Sequence, residues 1–150
     1  MYFLICMAIT ILDQVTKRFI ADSINYNYEV EIIEDFFYLT NVRNRGAAWG
    51  ILQNYRIFFI IITIVIVVSM LHFMMSVKQN YIRVVCAFII GGAVGNFVDR
   101  LFRGYVIDFL DFYIGSYHFP TFNVADIFIT IGSFLLIVEV FVKRKVCSYV

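Results

Sequence analysis

Acidic residues set in apolar sequence are the ones that could do chemistry in this chain. Asp13, Asp99 and Asp126 fall in or at the edge of long apolar stretches, and Asp108 and Asp111 stand shortly before the last of these. An ionised group in hydrocarbon costs several kcal/mol unless it is paired or wetted, so each is a functional candidate or the partner of one. Two carboxylates sharing a poorly solvated site cannot both ionise easily, so one keeps a proton while the other acts as a base. Such a pair can deprotonate a water and direct it at an amide carbonyl whose oxygen the protonated partner polarises. This is aspartic-type hydrolysis. Asp126 is one candidate member. Asp108 and Asp111 are two candidates for the other, and residue type alone does not choose between them. Asn123 precedes Asp126 by the spacing of a capping box, so a plain capping role for Asp126 is the alternative.

Other recipes have fewer parts. His72 and His118 are expected on opposite membrane sides, which removes a two-histidine metal site, and neither has a nearby Cys or Ser in a nucleophile motif. His72 reads as a packing or interfacial residue and His118 as an exposed loop residue. Cys6, Cys86 and Cys147 stand far apart and read as small apolar packers. No metal and no cofactor is expected. Asp13 and Lys17 are four apart with the acid first, which suits an ion pair on one helix face. Asn96 and Arg100 share a face with Asp99 adjacent, and Arg100, like Lys17, is expected in an ion pair. Gly91, Gly92, Ala93 and Gly95 precede them and read as sites where another helix approaches closely.

The elements that must position these residues follow from composition. With 62% hydrophobic and 15% charged residues in 150, a water-soluble globule and a disordered chain are both excluded. The near-neutral net charge of +1 and scattered Lys and Arg exclude a nucleic-acid partner. A membrane span needs roughly 20 apolar residues. Four segments qualify, at about 2–20, 57–77, 82–102 and 123–142, predicting an all-α integral membrane protein with a single domain over 1–150. The short apolar run before Cys6 has no basic flank and continues past the cysteine, so the N-terminus is expected to remain as a helix.

Up-and-down alternation brings Asp13, Lys17, Asn96, Asp99, Arg100 and Asp126 to one membrane side, the side of the two long segments 23–56 and 103–122. The raw count of basic residues does not orient the chain, but the cluster at 143–145 flanks a span freely and places both termini in the cytoplasm. Strict alternation over 25–32 predicts a half-buried strand. A second strand is expected over 36–42 and a third over 105–113, giving a small extracytoplasmic sheet.

Four motifs then carry a resemblance: DQVTK at 13–17, NRGAAWG at 44–50, GGAVGNFVDRLFRGYVIDFLD at 91–111 and FPTFNVAD at 119–126. Together, in this order, they resemble the lipoprotein signal peptidases, or type II signal peptidases. The resemblance implies an aspartic endopeptidase of the bacterial cytoplasmic (inner) membrane. Such an enzyme cuts the signal peptide from a prolipoprotein just before its diacylglyceryl-modified cysteine. It further implies Asp108 and Asp126 as the catalytic pair. Asn44, Gly46, Trp49, Asn96, Arg100 and Asn123 would be substrate-binding or supporting residues, and Asp13, Lys17 and Asp99 structural ones. Trp49 stands where the family often has phenylalanine, and Ile127 follows Asp126 where a small polar residue is usual, which could remove a hydrogen bond to the pair. Partners would be the diacylglyceryl prolipoprotein and membrane lipid, with the enzyme a monomer. Arg45, Trp49 and the first-loop strands are candidates for a clamp over the substrate. The rival readings are a small transporter or ion-conducting module using intramembrane carboxylates, and a structural subunit whose acids pair with Arg43, Arg45 or Arg103.

Overall fold

The computed structural model describes residues 1–47 and 51–147, with side chains described through residue 141. Four long helices dominate it: α1 (Tyr2–Ser23), α2 (Arg56–Ser76), α3 (Asn80–Phe102) and α4 (Val124–Cys147). They overlie the four expected spans, and the largest difference is at α4, whose backbone continues beyond 142 to Cys147. By length and composition α2, α3 and the 124–141 part of α4 can cross a membrane. α1 is as long, but it carries Asp13, Lys17, Arg18 and Asp22.

α3 is the central helix, packed against α1, α2 and α4. It buries residues along its whole length, from Ile82 to Asp99. α2, by contrast, buries only Met74 and turns Ile57, Ile61, Val65 and Val68 outward. Such an apolar outer surface suits contact with acyl chains. On α1 the buried residues are Ile9, Asp13, Lys17 and Ile20, a single stripe at helical spacing.

The expected close approach at the α3 glycines is present. A Cβ at Gly91 would lie 2.9 Å from the Cys6 carbonyl oxygen, and one at Gly95 would lie 2.5 Å from Asp13 Oδ2. Gly95→Ala must therefore displace a buried carboxylate. Overpacking of this kind costs about 1–3 kcal/mol, so a lower melting temperature and slower precursor cleavage are expected together. Wild-type values of both in the purified variant would show that α1 and α3 can separate freely here.

A four-stranded antiparallel sheet, in the order β1-β2-β3-β4, caps one end of the bundle. Its strands are β1 (Glu29–Ile33), β2 (Phe37–Asn44), β3 (Val106–Ile114) and β4 (Tyr117–His118). The first three correspond to the expected strands. β1 corrects one expectation: all five of its residues are exposed, not half-buried, because it stands at the sheet edge beside β2 and no described residue forms a layer over either of its faces. Tyr26 and Tyr28 lie before it, in a turn where Asn27 has a φ of 61°. β4 was not anticipated. It is only two residues long, and Gly115, at a φ of 61°, makes the tight turn into it.

Candidate active site

Two sequence-distant carboxylates meet where the sheet joins the bundle. Two residues past the end of α3 stands Gly104, whose φ of +81° lets the chain reverse while its N–H and that of Arg103 both donate to the Asp99 carbonyl. β3 follows at once and brings Asp108 over the ends of the helices. Asp108 stands across the ladder from Val42, and Asn44 pairs with Val106, so Asn44 and Asp108 are diagonal neighbours on one sheet face. After β4 the chain returns beside β3, held by the N–H groups of Phe109 and Leu110 on the Phe122 carbonyl and of Phe122 on the Leu110 carbonyl. The next residue, Asn123, is thereby fixed beside Asp108 and starts α4.

The capping box read from the sequence is formed in both directions. The Asp126 N–H donates to Asn123 Oδ1 at 3.1 Å, and the Asn123 N–H donates to Asp126 Oδ2 at 3.2 Å. Asn123 does more than cap, because its Nδ2 donates to Asp108 Oδ1 at 2.6 Å. One fully buried asparagine thus bridges the two carboxylates. The remaining oxygens are also engaged: Asn44 Nδ2 donates to Asp108 Oδ2 at 3.0 Å, and Asn96 Nδ2 donates to Asp126 Oδ1 at 2.8 Å.

Both of those amides are oriented from behind by groups that can only donate. The Gly46 N–H donates to Asn44 Oδ1 at 2.8 Å, which turns Nδ2 toward Asp108. Lys17 Nζ donates to Asn96 Oδ1 at 2.8 Å, which turns that Nδ2 toward Asp126. The ion pair expected between Lys17 and Asp13 is present at 2.8 Å, and Asp99 adds a second at 2.9 Å. Asp13 also accepts from the Ala125 N–H at 2.9 Å, and Asp99 pairs with Arg103 and accepts from Gln14 Nε2 at 3.3 Å. Gln14 lies inside the DQVTK motif but was not singled out. Its Nε2 also donates to the Gly95 carbonyl at 3.1 Å and so helps join α1 to α3.

A cavity of about 320 Å³ opens onto Asp108 and Asp126, with Asn44, Asn96, Arg100 and Phe59 in its wall. Asp108 is 2% exposed. Burial, and secondarily the charge of Asp126, push its carboxyl up to about 7, against the lowering effect of the Asn44 and Asn123 hydrogen bonds. Arg100 corrects an expectation: it has no ion pair among the described residues. Its Nη2 donates to the Gly46 carbonyl at 3.2 Å and its guanidinium lies 4.8 Å from the centre of the Phe59 ring. The positive charge therefore borders the cavity without being bound to a carboxylate. Phe59 was not anticipated, since nothing in an apolar run marks which ring will support an arginine. Trp49 lies outside the described residues.

Asp111 is separated from this centre by strand geometry. Three residues along β3 from Asp108, it falls on the opposite face. There it meets His118 Nε2 at 2.6 Å, and the His118 ring stacks on Tyr113 with centroids 4.4 Å apart. His118 is exposed as expected, but it belongs to β4 and not to a loop. His72 is exposed on α2, and Ile127 lines an apolar groove that borders Asp126. Among the described residues, no three His, Cys, Asp or Glu side chains gather as a metal site.

Comparison with known proteins agrees in extent and in fold. The family described as signal peptidase (SPase) II matches residues 5–142. A lipoprotein signal peptidase of Brevibacillus brevis is 47% identical over 146 residues, covering 96% of this chain and 97% of that protein. One of Bacillus pumilus is 39% identical over 146 residues, covering 96% and 94%. A bacterial membrane enzyme solved by the in meso method at 2.3 Å superposes with a TM-score of 0.89 at 40% identity, covering 95% of this chain and 88% of the other. A second, at 1.9 Å, gives 0.84 at 42% identity, covering 93% and 91%. With nearly its full length matched in both sequence and fold, the chain belongs to the signal peptidase II family.

Proposed function

We propose that this protein is an aspartic endopeptidase whose working pair is Asp108 and Asp126. As a member of its family, it removes signal peptides from prolipoproteins. The transporter reading finds no support. The observation that carries the aspartic mechanism is the single asparagine, Asn123, that binds both carboxylates at the wall of one cavity.

In this mechanism the pair shares one proton. A water held between the carboxylates gives a proton to the ionised member as its oxygen bonds to the scissile carbonyl carbon. The protonated member donates to the carbonyl oxygen. Collapse of the tetrahedral species then breaks the C–N bond as the leaving nitrogen takes a proton, giving a new carboxyl end and a new amine. Asn44, Asn96 and Asn123 hold the carboxylates in register, and Arg100 supplies a positive charge to the growing oxyanion or to the substrate beside it. Asp13, Lys17 and Asp99 brace the helices beneath.

The scissile bond in this reading precedes the diacylglyceryl-modified cysteine. All four helices cross the bacterial cytoplasmic membrane, both termini lie in the cytoplasm, and the monomeric enzyme works at the extracytoplasmic face. Supporting this, the sheet and both carboxylates lie where α1 and α3 end and α2 and α4 begin. Arg45, Trp49 and the first-loop strands would clamp the substrate from above.

Incubating the purified protein with a diacylated precursor peptide and weighing the products tests reaction, bond and lipid requirement at once. Cleavage one residue away from the modified cysteine, or equal cleavage of the unlipidated peptide, would contradict the assignment.

The pH response follows from Asp108, whose neutral form persists to about pH 7. A carboxyl raised in the folded protein stabilises it most in acid, and that contribution is lost as pH rises through about 7. The shared proton leaves over the same interval, so kcat/KM should fall roughly tenfold per pH unit on the alkaline limb. The apparent value belongs to the pair. A profile flat between pH 6 and roughly 9 would rule out a protonated partner.

A further inference from the structure

A second polar cavity, of about 310 Å³, lies at the same end of the bundle and outside the catalytic pair. Arg45, Asn54, Arg56, Arg103, Gly104 and Tyr105 line it. Three of the six are arginines and none is acidic. Like charges brought together in this way repel unless an anion joins them, and guanidinium groups match phosphate oxygens with paired N–H donors.

The arginines are held in place by different means. Arg56 Nε and Nη2 donate to the carbonyls of Arg100 and Leu101 at 2.7 and 2.8 Å, which fixes its guanidinium against the end of α3. Nη1 is the atom of Arg56 nearest to Gly104, a wall of the cavity. Arg103 is anchored through Nη1 to Asp99, a fully buried acid that shares Lys17 with Asp13, so the charge of Arg103 is largely matched and Arg45 and Arg56 carry the excess. Arg45 is exposed and has no ion pair among the described residues; its carbonyl accepts from the Asn54 N–H at 3.2 Å, which ties these two lining residues together. Beside the cavity, Arg43 lies 4.6 Å from the Tyr26 ring centre and 5.0 Å from that of Tyr105, so a fourth positive charge adds to the local field.

Depth selects the ligand. Arg56 is the first residue of α2 and Phe102 the last of α3, two helices apolar enough to span a membrane. The cavity therefore sits where hydrocarbon gives way to headgroups, the level of lipid phosphates. We propose that it binds a phosphate group, with the phosphodiester of an anionic lipid as the occupant. This needs no peptide cleavage, so it stands or falls separately from the catalytic assignment.

The test titrates the full-length protein in neutral detergent with dioctanoyl phosphatidylglycerol, with dioctanoyl phosphatidylcholine, and with inorganic phosphate, counting bound molecules by native mass spectrometry. One phosphatidylglycerol is expected to bind at least tenfold more tightly than phosphatidylcholine. Arg45→Glu should weaken it roughly tenfold or more, Arg45→Gln by less, and Arg83→Glu at the far end of α3 not at all. That grading by charge distinguishes lost attraction from a disturbed fold. Inorganic phosphate binding as tightly as phosphatidylglycerol would uphold a phosphate site and assign it to a soluble anion. Equal affinity for both lipids, or indifference to Arg45→Glu, would overturn it.

Discussion

Asp108→Asn and Asp126→Asn are each expected to lower cleavage of a diacylated precursor by roughly a thousandfold or more, the upper range of what a positioned acid or base contributes. That corresponds to about 4 kcal/mol of transition-state stabilisation. The isosteric change leaves the volume of the site unaltered but removes the group that gains or loses the proton. It also adds a donor where the present carboxylates only accept. At Asp108 the amide would face Asn44 and Asn123, and at Asp126 it would face Asn96 and the Asn123 N–H. Folding should survive in both variants because the new amide can keep its oxygen toward one of the two donors that each carboxylate meets, so one hydrogen bond of the two is lost. The contrast is Asp111→Asn. Its buried carboxylate meets a half-exposed histidine on the far face of β3, away from the cavity, and the isosteric amide can keep a hydrogen bond worth about 1 kcal/mol there, so cleavage should change by less than about fivefold. Measured side by side in one peptide assay, near-normal turnover by either of the first two variants would remove that residue from the pair. An equal loss at Asp111 would transfer the role to the other face of the strand.

The distinction between Asp108 and Asp111 shows where reading the sequence stops. Helices were legible because hydrocarbon length and charge content are one-dimensional properties, and α2 and α3 appear within two residues of their expected limits. The capping box was legible because Asn123 and Asp126 interact through local geometry alone. The Asp13 to Lys17 pair was legible for the same reason. Which of two nearby acids turns inward depends on the phase of β3, and that phase is set by its register with β2 and by the bulge between Leu39 and Val42. Here the family resemblance supplied Asp108, and the strand geometry gives the reason. The exposure of β1 and the absence of an ion pair at Arg100 among the described residues escaped for a related cause: both depend on what neighbouring described elements do not provide. The alternation over 25–32 carried a real strand signal, but burial of one face needs a second layer, and no described residue lays one over it.

Replacing Lys17 tests how far the site depends on its foundation. The side chain is fully buried, and its three N–H donors meet three acceptors: Asp13 Oδ2, Asp99 Oδ2 and Asn96 Oδ1. Lys17→Met keeps most of the volume and removes the charge, leaving buried Asp99 with Arg103 and buried Asp13 with no cation in contact among the described residues. Breaking a buried pair in this way costs about 3–5 kcal/mol. A drop of that size in unfolding free energy is expected, together with a loss of cleavage beyond what the folded fraction explains. The second effect follows from Asn96: without the lysine, its Oδ1 is met by Asn123 Nδ2 alone, at 3.2 Å, so the orientation that aims Nδ2 at Asp126 is less firmly set. Lys17→Met with Asp13→Asn removes the orphaned acid and leaves Asp99 paired with Arg103, but does not restore the grip on Asn96. If the double variant recovers stability while its kcat per folded molecule stays low, Lys17 positions the catalytic carboxylate through Asn96. If stability and kcat recover in step, the lysine serves only to hold α1 against α3.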